Sequence, residues 1–180
     1  MEFVSAEINK IIEKEGGFVD HPSDKGGPTR YGITQGTARS WGYFGKIEEL
    51  PRDTAVAIYT DRFYLRPGIN RIAVISPDVA AEVFDSGVNC GPGTAVIWLQ
   101  KWLNGMNRQQ KDYPDLLIDG NIGDTTARAL AAYIKKRGEK GVHVLVGALN
   151  CSQGAYYLEI TKREANEDFL YGWIANRINL

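Results

Sequence analysis

From Glu15 to Thr34 the chain reads EGGFVDHPSDKGGPTRYGIT, and its five glycines and two prolines leave no room for a regular helix there. On either side the apolar pattern is helical. Upstream, Ser5 is placed to cap a helix whose positions Ile8, Ile11 and Ile12 fall at helical spacing, and Gly16 and Gly17 supply its stop. Glu15 continues that apolar stripe, whereas Lys10, Glu13 and Lys14 take the solvent side. A carboxyl group held against apolar neighbours loses hydration, which disfavours its charged form and raises its pKa. A general acid needs that near neutral pH. Asp24 follows His21, Pro22 and Ser23 and precedes Gly26, Gly27 and Pro28, which puts it on a loop or short hairpin in wetter surroundings. Two carboxylates in such unlike settings form the pair used to cleave glycosidic bonds.

Beyond this stretch, Thr34 can cap a short helix through Ala38 and Trp41 that ends at Gly42. Pro51 opens another, with Ala55, Ile58, Tyr59, Arg62 and Phe63 on one face, which stops before Pro67 and Gly68. The spacing makes Phe63 core and leaves Tyr59 and Tyr64 divided between core and a sugar groove. Ser76 and Pro77 open a helix that turns Ala80, Val83, Phe84 and Val88 inward, with Gly87 permitting close approach of a neighbour. Asp85 and Asn89 lie on its flank, either facing a cleft or serving solvent contact. Pro92 and Gly93 mark a boundary between residues 1–90 and 91–180. After it come a helix ended by Asn104 and Gly105, whose Trp98 and Trp102 could stack on sugars but have a spacing that favours core, and a turn from Asp119 to Thr126, where a Thr caps a helix ending near Gly138. VHVLVGALN is read as helix although Val142, Val144 and Val146 alternate, and the stripe Phe169, Leu170, Trp173, Ile174 and Ile178 packs a last helix across the domain. These patterns predict a mainly α chain with a small irregular or β-hairpin region.

Composition narrows the function. A net charge of -1 and a pI of about 6.1 provide no excess of Lys and Arg for nucleic-acid phosphates. The N-terminus MEFVSAEINK carries early acids and no apolar run of signal-peptide or membrane-anchor length, so synthesis in the cytoplasm without membrane insertion is expected. Cys90 and Cys151 are too few for a disulfide framework and read as buried free thiols. With only His21 and His143, and no H-E-x-x-H or C-x-x-C, a zinc site would have to combine both histidines with a cysteine. A nucleophilic triad would need one of the same histidines, no G-x-S-x-G elbow is present, and Gly26 and Gly27 lack the G-K-[ST] of a phosphate loop. Acid catalysis by carboxylates, without metal or cofactor, is what remains best supported.

The run EGGF, then DKGGPT and YGIT, resembles the catalytic signature of glycoside hydrolase family 108, the N-acetylmuramidases of phage endolysins and bacterial secretion-activator proteins. FDSGVNCGPGTAVIWLQ, DGNIGDTT and FLYGWIANR resemble the peptidoglycan-binding-like half of that family, so the likeness covers nearly the whole chain. It implies a lysozyme-like helical fold, with a catalytic lobe over 1–90 and a peptidoglycan-binding-like lobe over 91–180. It also implies that Glu15 is the catalytic acid. The similar Glu, Asp, Thr arrangement of phage-type lysozymes suggests Asp24 and Thr29 as helpers; their threonine falls one place later, and Thr34 competes for the role. Tyr31, Thr34, Tyr59, Asp85 and Asn89 are the candidate substrate contacts. The expected activity is cleavage of the β-1,4 bond between N-acetylmuramic acid and N-acetylglucosamine, by a monomer exported by a holin or a secretion system to peptidoglycan in the periplasm or cell wall. The alternatives are a non-catalytic peptidoglycan-binding or secretion-accessory protein and a zinc N-acetylmuramoyl amidase.

Overall fold

The computed structural model describes residues 2–19 and 27–178, and within the first helix the side chains of residues 5–13. Among them are eight α-helices and one three-stranded antiparallel sheet, the mainly α architecture with a small β-hairpin region that the patterning predicts. The chain forms two compact units, Met1–Leu65 and Arg66–Leu180.

In the first unit, α1 (Glu2–Glu15) buries Ile8, Ile11 and Ile12. It begins upstream of Ser5, which therefore lies inside the helix instead of capping it. The helix ends as expected: Gly16 takes φ 69° and donates its N–H to the Ile12 carbonyl at 3.1 Å. Strands β1 (Phe18–Val19), β2 (Thr29–Arg30) and β3 (Ile33–Thr34) lie in that order, with Val19 opposite Thr29 and Arg30 opposite Ile33. Tyr31 and Gly32 join β2 to β3, both left-handed at φ 53° and 73°, the two-residue turn that matches the twist of paired strands. Gly32 adopts this conformation freely, whereas Tyr31 must be held in it. Thr34 caps α2 (Gln35–Trp41), its Oγ1 accepting from the Thr37 N–H at 3.1 Å, and Gly42 ends that helix. Helix α3 (Arg52–Tyr59) runs into a π-helical turn, Thr60–Leu65. That wider turn carries Phe63 off the buried stripe of Ala55, Ile58 and Tyr59, so Phe63 is half-buried against the Tyr59 ring and not core.

The second unit holds α4 (Ile69–Ala73), α5 (Pro77–Cys90), α6 (Pro92–Met106), α7 (Asp124–Ile160) and α8 (Glu167–Arg177). Helix α5 is its hub, packing on α4, α6 and α7. Ser76 caps it and Pro77 fills its first turn. At Gly87 a Cβ would stand 3.3 Å from the Pro92 Cα, which explains the glycine where α6 begins. Helix α6 continues through Gly105 to Met106, beyond the expected stop, while the Asn104 amide clamps both backbone groups of Leu116. Helix α7 starts after Gly123, without the expected threonine cap; Thr126 is buried inside it. It breaks at Gly138 (φ 63°, ψ -157°), and VHVLVGALN lies in the helical segment that follows.

Between α6 and α7 the DGNIGDTT loop is fastened by Gln100, a buried residue of α6. Its Nε2 donates to Asp119 Oδ1 at 2.8 Å and to the Asn121 carbonyl at 3.0 Å, and its Oε1 accepts from the Gly120 N–H at 3.0 Å. Cys90 is buried, but Cys151 is exposed because it falls off the buried stripe of Leu145, Leu149 and Gln153; both thiols are free. No residue of α8 is fully buried: Leu170, Trp173 and Ile174, with Ile178 just past its end, are half-buried on a helix that packs against α7, with Trp173 against Tyr157 and the exposed Phe169 stacked on Trp173. Among the described residues no helix is long and apolar enough to cross a membrane.

Candidate active site

Glu15 is the last residue of α1, placed there by the stripe of isoleucines before it and the left-handed glycine after it. Its side chain, and all of Asp24, lie outside the described residues. Glu15 and Val19 are four residue steps apart, a span of at most about 14 Å, and Val19 pairs with Thr29. The half-buried Thr29 opens the central strand of the sheet and has Thr34 as its other partner. The hairpin is therefore tethered close to the end of α1.

Tyr31 sits at the hairpin tip with the Arg30 guanidinium 5.2 Å from its ring centre. The Nε of Arg30 is buried and has no hydrogen-bond partner among the described residues. Tyr59, at 1% exposure, belongs to the core; its hydroxyl donates to the Tyr31 carbonyl at 2.9 Å, so it acts on the hairpin through that bond and offers no open face to a ligand. The Thr34 hydroxyl is engaged in the α2 cap and by the Thr37 hydroxyl at 3.0 Å. Beside the hairpin lies a depression of about 300 Å³ lined by Phe18, Pro28, Arg39, Phe44 and Glu48, among others. Phe18 and Phe44 are 44% and 81% exposed, which suits rings that stack on a ligand better than rings that fill a core. Phe44 is legible in the sequence as part of an aromatic turn; that it lines one depression with Phe18 is a feature that no local pattern encodes.

Asp85 and Asn89 lie in the second unit, on α5. Asn89 Nδ2 donates to the Asp85 carbonyl at 2.8 Å and to its Oδ2 at 3.0 Å, and Arg177 Nη1 stands 3.9 Å from Asp85 Oδ1. One turn earlier is an acid that the sequence reading overlooks. Glu82 is 6% exposed, and burial pushes its carboxyl up to about 7; hydrogen bonds from Asn150 and Ser86 oppose the rise, and the charge of Asp85 adds to it. The signal was present: Glu82 falls between Val79, Val83 and Ser86 on the inward face of α5. Among the described residues no group of three or more His, Cys, Asp or Glu side chains is placed to hold a metal ion.

Residues 8–91 match the family described as Glycosyl hydrolase 108, and residues 94–178 match the Predicted Peptidoglycan domain. The structure of Brucella abortus SagA is similar in fold, with a TM-score of 0.71 at 23% identity over 97% of this chain and 88% of that one. No curated protein matches the chain. The fold is thus the lysozyme-like helical one that the signature motifs imply. Two consecutive matches that together span nearly the whole chain lead to one conclusion: its first half is a domain of the glycosyl hydrolase 108 family, which makes the chain a peptidoglycan hydrolase, and its second half is a peptidoglycan domain.

Proposed function

We propose that this chain is a lysozyme-type N-acetylmuramidase that cleaves the β-1,4 bond between N-acetylmuramic acid and N-acetylglucosamine. The observation that carries the reading is the position of Glu15, the acid of the E-G-G signature, at the end of a helix whose preceding stripe is buried and beside a hairpin bearing an exposed aromatic. Glu15 protonates the leaving glycosidic oxygen as the bond to the anomeric carbon breaks. In the same step Asp24 steadies the oxocarbenium-like transition state or takes a proton from the water that attacks the anomeric carbon, and Thr29 orients that water. Tyr31 and Thr34 flank the sugar at the hairpin, and Tyr59 holds Tyr31 in place.

General acid catalysis contributes roughly 10²–10⁴-fold, so Glu15→Gln is expected to lose at least about 10²-fold of activity on purified peptidoglycan while keeping its helical circular dichroism. Mass spectrometry of the soluble products reads the bond broken. New reducing-end muramic acid from the parent chain supports the proposal; free stem peptide, or full activity in the variant, refutes it.

A further inference from the structure

The Gly138 break in α7 folds the chain into an elbow, and the elbow encloses a groove of about 510 Å³ against the end of α6. That volume lies within the range of small-molecule sites. Met106, Tyr133 and Val144 give the groove an apolar lining, and Lys136, Arg137 and Lys140 give it cations. The elbow is built for close approach: a Cβ on Gly141 would stand 2.5 Å from the Arg137 Cβ, and the Tyr133 hydroxyl donates to the Gly141 carbonyl at 2.9 Å. Arg137 is fixed in advance, with Nη2 donating to the Met106 carbonyl at 2.9 Å and its guanidinium 5.4 Å from the Tyr133 ring centre. Asp112, whose carboxylate feels Lys136 and Arg137, is taken up by Arg108, whose Nε donates to it at 2.8 Å. From Lys135 to Lys140 four cations face one acid, Glu139, in a chain whose net charge is -1. The groove is thus a local excess of positive charge over an apolar floor.

We propose that this groove binds the peptide stem of peptidoglycan, its cations receiving a stem carboxylate and its floor the alanyl methyl groups. The proposal rests on the peptidoglycan-hydrolase reading and on charge complementarity, and every lining residue falls within the peptidoglycan-domain match. Wall contact is then divided between a glycan-reading site and a peptide-reading one.

Calorimetric titration of the full chain with a synthetic stem tetrapeptide tests it, alongside the carboxyl-amidated peptide and a glycerol-phosphate oligomer. Saturable binding of the free-acid peptide is expected. It should weaken by at least about 10-fold in Lys136→Ala/Lys140→Ala, by a similar factor on amidation, and progressively with salt. Cleavage of glycan strands stripped of peptide should be unchanged in that variant. No binding by the parent chain, equal binding by the variant, or preference for the phosphate oligomer overturns the proposal. Stem binding without muramic-acid products upholds the groove while removing the muramidase reading, so the two fail separately.

Discussion

Glu82 is expected to make the stability of this protein fall with rising pH over a window where paired carboxylates do the opposite. Its carboxyl moves from the ordinary 4.5 to about 7, with burial as the leading cause. Between those values the folded chain keeps a proton that the unfolded chain has released. The stabilising contribution is therefore complete below 4.5 and lost as pH rises through about 7. At about 1.4 kcal/mol per pKa unit, the shift corresponds to about 3 kcal/mol. Glu82→Gln keeps the size of the side chain and can still accept from the Ser86 hydroxyl, which meets Glu82 Oε1 at 3.3 Å, but it has no proton to lose. Parent and variant should be nearly equal at pH 4.5, and the variant should be the more stable by about 3 kcal/mol at pH 8. Urea midpoints measured at intervals across that range, with the slope m unchanged, give the difference directly. A parent-minus-variant difference independent of pH refutes the reasoning.

Tyr59→Phe deletes the hydroxyl that holds the strained Tyr31 turn and should cost about 1 kcal/mol in urea unfolding, with a raised KM on peptidoglycan if the hairpin tip contacts sugar. Gln100→Ala leaves the buried Gly120 N–H without its partner and unties the DGNIGDTT loop, at an expected cost of about 2 kcal/mol by the same measurement. A thiol-specific chromogenic disulfide should titrate one cysteine in the native chain and two after denaturation, because Cys151 is exposed whereas Cys90 is buried with its thiol pushed up to about 12.

Most of the helices were legible because their signals are local. Ile8, Ile11 and Ile12 give one face of α1, Ser76 and Pro77 the start of α5, and Gly42 and Gly138 a stop and a break. The errors arise where the surrounding helix overrides a local signal, as at Ser5 and Gly105, or where a residue's partner is distant in sequence. Phe63 has helical spacing, but the π-helical turn changes the angle at which it leaves the axis. The α8 stripe packs on α7 as a half-buried face, with Trp173 against the buried Tyr157, and only Phe169 at its edge is exposed. Tyr59 reads equally as core or groove, and only the carbonyl of Tyr31, supplied from 28 residues away, decides for core. Lys136, Arg137 and Lys140 stand together in the sequence as a solvated charge run; what makes them a groove is the fold-back at Gly138 and the approach of Met106.

The stitching of Pro67 and Gly68 to Ile122 bears on how such a chain can be recombined. The Ile122 N–H donates to the Pro67 carbonyl at 2.9 Å, and any Cβ on Gly68 would lie 2.2 Å from the Ile122 carbonyl oxygen. The two family matches meet between 91 and 94, yet the compact unit they cut through begins at Arg66 and has α5 as its hub. The second half is therefore no interchangeable cassette. A chimera that grafts residues 94–178 behind another hydrolase would arrive stripped of the helix on which its own apolar faces close, and the transferable piece is the whole of 66–180.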